Sequence, residues 1–141
     1  MNLTIKRATV GDADSIKFLF EKIGTDNIVI NHLFFDSEKN VLLIAEVDSK
    51  PAGFLYGYIL NDIRVNRDMM FLFSIDVIEE YRQQGIATKL IEMLKEIAKE
   101  NDCVEVFVPT NKSNIAATKT YEKTGGVRMH EDDVFYLYRP L

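Results

Sequence analysis

The chain has 141 residues, 47% of them hydrophobic, which is enough for one buried core and too few for two, so a single domain over residues 1–141 is expected. A net charge of −5 and a pI of about 5.1 disfavour a nucleic-acid partner, because phosphate backbones are bound by clustered lysine and arginine. One cysteine, Cys103, excludes an internal disulfide framework, and with only two histidines, His32 and His130, no metal site is expected.

No segment of the sequence predicts membrane insertion. The longest uncharged apolar run, Ala52 to Leu60, is far shorter than a bilayer span, and no secretory signal pattern follows Met1. A cytoplasmic protein without a membrane partner is therefore expected. The acidic charge favours a cationic small molecule or a basic peptide as ligand, unless it serves solubility alone.

The first half of the chain predicts one helix among four strands. Leu3 to Arg7 is typical of a short strand, and "TVGDADSIKFLFEKI", residues 9–23, has helical spacing with Ile16, Leu19, Phe20 and Ile23 on one side. Two β-type apolar runs flank Asp48–Pro51, which has the composition of a turn, so a hairpin is predicted. Met69 to Ile78, rich in phenylalanine and β-branched residues, predicts a further strand.

The second half predicts two helices, a strand between them and a closing pair of strands. Apolar residues from Gly85 to Glu100 repeat at helical spacing, "CVEVFV" alternates as a strand does, and "SNIAATKTYEKTGG" is a helix that ends at paired glycines. "VRMHEDDVFYLYRP" predicts the closing strands. The order indicates a mixed α/β (α+β) fold with a mixed, mostly antiparallel sheet flanked by helices, since a doubly wound fold would alternate more strictly.

The stretch "YRQQGIAT", residues 81–88, links the predicted strand from Met69 to Ile78 to the helix that follows it. A helix N-terminus has unpaired N–H groups and a partial positive charge, so it attracts anions such as pyrophosphate. Gly85 and Ala87 leave the backbone accessible, and Arg82 adds a charged donor. The alternative is that Gly85 only makes the turn and that Arg82 is a solvated surface residue.

A second pattern lies on the last predicted helix. Asn114, Ala117, Tyr121 and Gly125 are spaced at i, i+3, i+7 and i+11, so they lie close to one side of the helix. Ordinary packing also explains this spacing, since a tyrosine on an inner helix face is usually a core residue.

Taken in order, the strand "FLFSIDVIEE", the "RQQGIA" turn with its helix, "CVEVFVPT" and the pattern from Asn114 to Gly125 resemble the GNAT superfamily of N-acetyltransferases. "TIKRATVGDADSI" is similar to the first strand and helix of that family, so the resemblance covers the whole chain and implies a single N-acetyltransferase domain. The run "YRQQGIATKLIEMLKEIA" together with "EVFV" most resembles the aminoglycoside 3-N-acetyltransferase branch.

The resemblance implies an acetyl-CoA site. The pyrophosphate would lie at the turn formed by Arg82, Gln83, Gln84, Gly85, Ile86, Ala87 and Thr88. The pantetheine arm would pair like an added strand with the backbone at Ile75 and Val77, near Asn114 and Ala117. Tyr121 occupies the position of the tyrosine that protonates the departing thiolate. A homodimer is also an expectation from the resemblance.

Two departures from the family pattern are visible. Glu79 stands where the family often has proline, and this difference is not expected to disturb cofactor binding. Gly125-Gly126 stands where the family usually has Gly-Phe, which leaves open how the closing strands pack near the acceptor.

The chemistry itself requires a base and an acid. An amine has a pKa near ~10, so it must lose a proton before it attacks a thioester. Asp76, bracketed by Ile75 and Val77, is the candidate base, unless it is a strand-end carboxylate paired with a lysine or arginine. Glu79 and Glu80 are further candidates or simple turn residues.

Other reactive residues have ordinary explanations as well. Cys103 could carry the acetyl group in a ping-pong route, but a small buried hydrophobe is favoured. His130 and the acidic residues 131–133 border the acceptor site or form a hairpin turn.

The sequence therefore predicts transfer of acetyl from acetyl-CoA to a primary amine of an aminoglycoside-like or polyamine-like cation, by direct transfer. A peptide or protein amine is the alternative acceptor. A non-catalytic acyl-CoA-binding module is the alternative of another class, and the presence of Tyr121 favours the enzyme because a binder needs only the phosphate turn.

Overall fold

The computed structural model describes all residues from Met1 to Leu141 and consists of one sheet with helices on both faces. In chain order the elements are β1 Leu3–Arg7, α1 Ala13–Lys22, β2 Asn40–Val47, β3 Lys50–Asn61, β4 Asp68–Val77, α2 Ile86–Glu100, β5 Cys103–Phe107 and α3 Ile115–Lys123. Short 3-10 turns lie at Val10–Asp12, His32–Asp36 and Glu79–Tyr81. The predicted mixed α/β class is confirmed.

The five strands lie side by side in the order of the sequence. Neighbours pair antiparallel from β1 to β4; a turn or loop joins β2 to β3 and β3 to β4, and α1 lies between β1 and β2. β4 and β5 pair parallel because α2 carries the chain back across the sheet. The sheet is thus mixed and mostly antiparallel, as predicted.

Two apolar clusters hold the layers together. On one face α2 buries Ile86, Leu90 and Leu94 against strand residues such as Leu55 and Leu72. This is the apolar side of an amphipathic helix, with successive contacts three or four residues apart. On the opposite face α1 buries residues against β2 and β3; the members of this cluster are Ala8, Ile16, Leu19, Leu42, Ile44, Phe54 and Ile78.

The predicted hairpin is present, with β2 and β3 joined at Asp48 and Ser49. Both residues have positive φ, 49° and 68°, which is the backbone of a two-residue turn whose twist matches the strands. No helix combines the length and the apolar character needed to cross a bilayer.

β4 and β5 remain paired over only part of their length. The last pair is Phe71 with Phe107, and from Leu72 to Val77 β4 has β3 as its only partner. The register between β3 and β4 shifts at Tyr56/Gly57, which leaves Phe73 as the extra residue of a bulge. A gap therefore opens between β4 and β5 at the C-terminal end of β4, the end that leads into α2.

The prediction of closing strands at the C-terminus is wrong. Residues 127–141 have no regular secondary structure, and every one of them is exposed. The consecutive apolar and aromatic residues from Val134 to Tyr138 give this segment strand propensity. A strand also requires a paired neighbour and a face to bury, and this segment contacts neither.

Candidate active site

A groove of about 940 Å³ runs between the end of β4, the start of α2 and one side of α3. It is lined by residues 75–77, 81–83, 85–88, 91, 114–117, 119–121 and 123. Every residue predicted from the sequence for cofactor binding, together with Asp76 and Tyr121, lies on this lining except Gln84. Glu79 and Glu80, the further candidates for the base, do not line the groove. The two patterns, separate in the sequence, therefore form opposite walls of one groove.

The turn into α2 leaves the first amides of the helix accessible. Gly85 is the N-cap residue with φ 81° and ψ 9°, and Gln83 also has a positive φ of 61°. No side chain caps this end of α2, and no acidic residue lies in its first turn. Such an end offers free N–H donors and a partial positive charge, so it favours a bound anion.

Arg82 and Asp76 connect this turn to the end of β4. The Arg82 Nε donates to the Val77 carbonyl at 2.8 Å, and its Nη2 lies 3.4 Å from Asp76 Oδ1. The same Asp76 oxygen accepts from the Val77 N–H at 2.8 Å. The sequence allowed two interpretations of Asp76, a general base or a strand-end carboxylate paired with an arginine. The structure shows the arginine pair, and Asp76 also lines the groove.

The opposite wall is α3, whose start and end are both fixed. Asn114 caps the helix by accepting from the Ala117 N–H at 3.1 Å. At the other end, Lys95 of α2 donates to the Thr124 carbonyl at 2.9 Å. The Asn114 cap fixes where α3 begins, and the Lys95 bond joins the end of α3 to α2.

Tyr121 lies on α3 at the edge of the core that α2 buries. Burial raises the pKa of its phenol, so the hydroxyl stays protonated throughout the neutral range. A neutral phenol in the groove can donate a proton to a leaving thiolate.

Cys103 lies outside the groove. It pairs with Asp68 at the far end of β4, eight residues from Asp76 and roughly 25 Å away at the usual strand rise. Burial, with nearby Asp68 and Asp102, raises the pKa of its thiol. A thiol so placed does not reach the groove, in agreement with the structural interpretation of Cys103.

The sequence analysis missed part of the groove. Tyr81, Ile91, Lys119 and Lys123 also line it. The two lysines are four residues apart on α3, so their helical spacing was a readable signal that two ammonium groups share one wall. His130 and residues 131–133 lie in the exposed C-terminal segment, where no strand positions them.

Comparison with known proteins agrees with this architecture. The model of the acetyltransferase (GNAT) family matches residues 12–126. An acetyltransferase of Agrobacterium fabrum is 30% identical over 118 residues, covering 82% of this chain and 78% of its own length. An N-alpha-acetyltransferase of Saccharolobus solfataricus is 34% identical over 77 residues, covering 48% of this chain and 46% of its own.

A solved structure extends the likeness to the whole chain. It is an aminoglycoside acetyltransferase from an uncultured soil metagenomic sample, crystallised with trehalose, which superposes with a TM-score of 0.80 at 25% identity and covers 99% of this chain and 96% of its own. The chain spans less than half the length of several curated relatives that it matches. The family match extends from α1 through α3 and includes the whole groove, so this chain belongs to the acetyltransferase (GNAT) family.

Proposed function

We propose that this protein transfers the acetyl group of acetyl-CoA directly to a primary amine of a cationic small molecule. The observation that carries the proposal is the shared groove, in which the uncapped start of α2, the unpaired edge of β4 and Tyr121 face one another. An anion site, an open strand edge and a proton donor are the three elements that binding and cleaving a thioester of CoA requires.

The fit of acetyl-CoA is argued from the groove walls. The turn from Arg82 to Thr88 would bind the pyrophosphate through its N–H groups and the Arg82 guanidinium. The backbone at Ile75, which β5 does not pair, would pair with the amides of the pantetheine arm. Val77 would do so by exchanging the bonds that its N–H and carbonyl now make with Asp76 and Arg82. Asn114 and Ala117 would border that arm from α3.

The reaction needs two proton transfers. An ammonium loses a proton to Asp76 or to water, and the free amine nitrogen attacks the thioester carbonyl carbon to form the new C–N bond. The C–S bond then breaks, and the thiolate takes the hydroxyl proton of Tyr121. Tyr121 recovers a proton from solvent or from the acetylated amine, so the cycle closes without a covalent enzyme intermediate.

For the acceptor, aminoglycoside-like or polyamine-like cations are supported by the similar aminoglycoside acetyltransferase and by the net charge of −5. The 3-N branch stays a prediction. A peptide amine is the alternative acceptor, supported by the similar N-alpha-acetyltransferase. A non-catalytic acyl-CoA-binding module would use the same turn without requiring Tyr121.

The test is release of CoA thiol from acetyl-CoA by the purified protein against aminoglycosides, polyamines, amino acids and basic peptides. We expect release with one class of amine and its loss in Tyr121→Phe. Tyr136→Phe, in the exposed C-terminal segment, is the matched control and should retain full activity.

Tight binding of acetyl-CoA without thiol release for any amine would reject the enzyme and favour the binding module. Isothermal titration with acetyl-CoA supplies that binding measurement.

A further inference from the structure

One half of the sheet face opposite α2 carries five aromatic rings, named here the aromatic surface: Tyr56, Tyr58, Phe71, Phe73 and Phe107. Phe73 is at its centre, with ring centroids 5.2 Å from Tyr56, 6.1 Å from Tyr58 and 5.7 Å from Phe71. Phe71 and Phe107 stack at 4.9 Å with nearly parallel planes.

Only part of this surface is covered. Phe20 of α1 contacts Tyr56, and Phe34 of the 3-10 turn contacts Tyr56 and Tyr58. Phe73 and Phe107, on the side toward the gap, remain 53% and 38% exposed. A contiguous apolar patch open to water is costly, so such patches in natural proteins commonly mark a binding site.

Its position relates it to the groove. Phe71 and Phe107 form the last pair before β4 and β5 separate, and Phe73 is the bulged residue at the start of the gap. Ser74 and Asp76 follow on β4, and Asp76 lines the groove. The aromatic surface and the groove therefore meet at the gap, one on each face of the sheet.

We propose that the aromatic surface binds the acceptor, and that the acceptor is a primary amine with an aromatic ring two or three carbons from its nitrogen. This inference rests on the proposed acetyl transfer. Aromatic faces stack with a flat ring and attract the adjacent ammonium group. With the ring on Phe73, the amine reaches the gap where the acetyl group of acetyl-CoA would lie.

The charges near the gap accommodate a single ammonium group. Asp76 at the gap is already paired with Arg82, and Glu105, on β5 two residues before Phe107, is exposed. Burial raises the pKa of both Tyr56 and Tyr58, so their hydroxyls are neutral. An apolar surrounding also lowers the pKa of a bound ammonium, which assists the deprotonation that the reaction needs.

The experiment compares 2-phenylethylamine with 2-cyclohexylethylamine, spermidine and an aminoglycoside as acceptors for the full chain. We expect the highest kcat/KM for 2-phenylethylamine. Phe73→Ala should lower that value by roughly tenfold, the size of a lost aromatic contact, and leave the KM for acetyl-CoA unchanged. Phe73→Leu keeps apolar contact but has no ring, so it should lower kcat/KM for 2-phenylethylamine nearly as much as Phe73→Ala does.

Phe18→Ala is the matched control, because Phe18 is an exposed phenylalanine on α1 outside both core clusters. It should leave kcat/KM unchanged. Equal kcat/KM for spermidine or the aminoglycoside, together with equal behaviour of Phe73→Ala and Phe18→Ala, would overturn the assignment.

A binding measurement separates this inference from the proposed function. Saturation-transfer NMR of 2-phenylethylamine with the protein and CoA should show binding that Phe73→Ala removes. Binding without thiol release from any amine would reject acetyl transfer and retain the aromatic surface as an amine site. Absence of binding, with or without turnover of other amines, would reject the aromatic surface.

The chain has one competing occupant of its own, the exposed apolar segment from Val134 to Tyr138. A double-mutant cycle of Phe73→Ala and Phe135→Ala in the full chain tests it. Additive shifts in Tm are expected, since the two residues lie apart, and strongly non-additive shifts would assign the surface to the tail and overturn the proposal.

Discussion

At the scale of single residues, Gly85 combines a backbone requirement with an open space. Its φ of 81° disfavours any side chain, and a Cβ placed there would meet no atom of the chain within 4 Å. Gly85→Ala should therefore cost about 1–2 kcal/mol of unfolding free energy and also raise the Kd for acetyl-CoA, because the methyl group enters the phosphate site. Urea unfolding and isothermal titration measure the two effects.

Gly24→Ala provides the control, since Gly24 has φ 98° and an equally open surrounding outside the groove. It should lose similar stability with unchanged acetyl-CoA affinity. If both variants bind acetyl-CoA as the wild type does, the turn before α2 is not the phosphate site.

Asp76 has two proposed uses that give different kinetics. As the general base, its replacement in Asp76→Asn should lower kcat at pH 7 by about 10²-fold or more, with recovery at high pH, where the amine loses its proton unaided. The KM for acetyl-CoA should change little. A raised KM at unchanged kcat would instead show that the carboxylate only holds Arg82, and measured pH–rate profiles decide between them.

Tyr121 should be protonated over the whole working range. Since burial raises its pKa, a loss of kcat from its deprotonation should begin only above about pH 10, and Tyr121→Phe should lower kcat by about 10²-fold with little change in acetyl-CoA affinity. The folded chain holds this proton more tightly than the unfolded chain, so the associated stability is present below pH 10 and lost as the pH rises further. A kcat in Tyr121→Phe close to that of the wild type would exclude the acid role.

At the scale of elements, the β2–β3 hairpin offers a local gain. Ser49 has a φ of 68°, where glycine is strongly preferred after aspartate in a two-residue turn. Ser49→Gly should raise the free energy of unfolding by about 0.5–1 kcal/mol, measured by urea unfolding. The same change at Ser37, which has an extended backbone, should lower it, and a loss at Ser49 would contradict the turn assignment.

The elements also show what a sequence can predict. The turn at Gly85 was readable because its backbone geometry depends on neighbours only a few residues away. Asn114 was predicted on one side of the last helix, and the structure has it as the residue that caps the helix start. The gap between β4 and β5 was not readable from the residues themselves, since alternation reports which face a side chain takes and not which strand pairs with it. Only the resemblance to a known family bore on it, because an arm that pairs like an added strand at Ile75 and Val77 requires an unpaired strand edge there.

The same reasoning explains the error at the C-terminus and the missed aromatic surface. Val134 to Tyr138 is a run of apolar and aromatic residues with strand propensity, but propensity cannot supply the partner that a strand needs. The rings come from three strands: Phe73 contacts Tyr56 of β3 from the bulge in β4, and Phe71 of β4 stacks on Phe107 of β5. These contacts depend on how the strands are aligned with one another, which no local sequence pattern encodes.

At the scale of the whole molecule, stability should be concentrated in the sheet and absent from the tail. Phe54 is 1% exposed in the α1 cluster, whereas Phe135 is 76% exposed. Phe54→Ala should lower the free energy of unfolding by about 3–5 kcal/mol, and Phe135→Ala should change it by less than about 0.5 kcal/mol. Chemical unfolding at low protein concentration tests both, and a large loss in Phe135→Ala would mean that the tail is packed in solution.

The incomplete pairing of β4 has a consequence for isotope exchange. From Leu72 to Val77, β4 lies between β3 and β5 in the strand order, but it forms backbone hydrogen bonds only with β3. This part of β4 therefore has the unpaired backbone groups of an edge strand. Its amides should therefore exchange with deuterium in an alternating manner, slowly where they point to β3 and rapidly where they point to the gap. A molecule bound along that edge would slow only the rapid set and would leave a labelling pattern of every second residue.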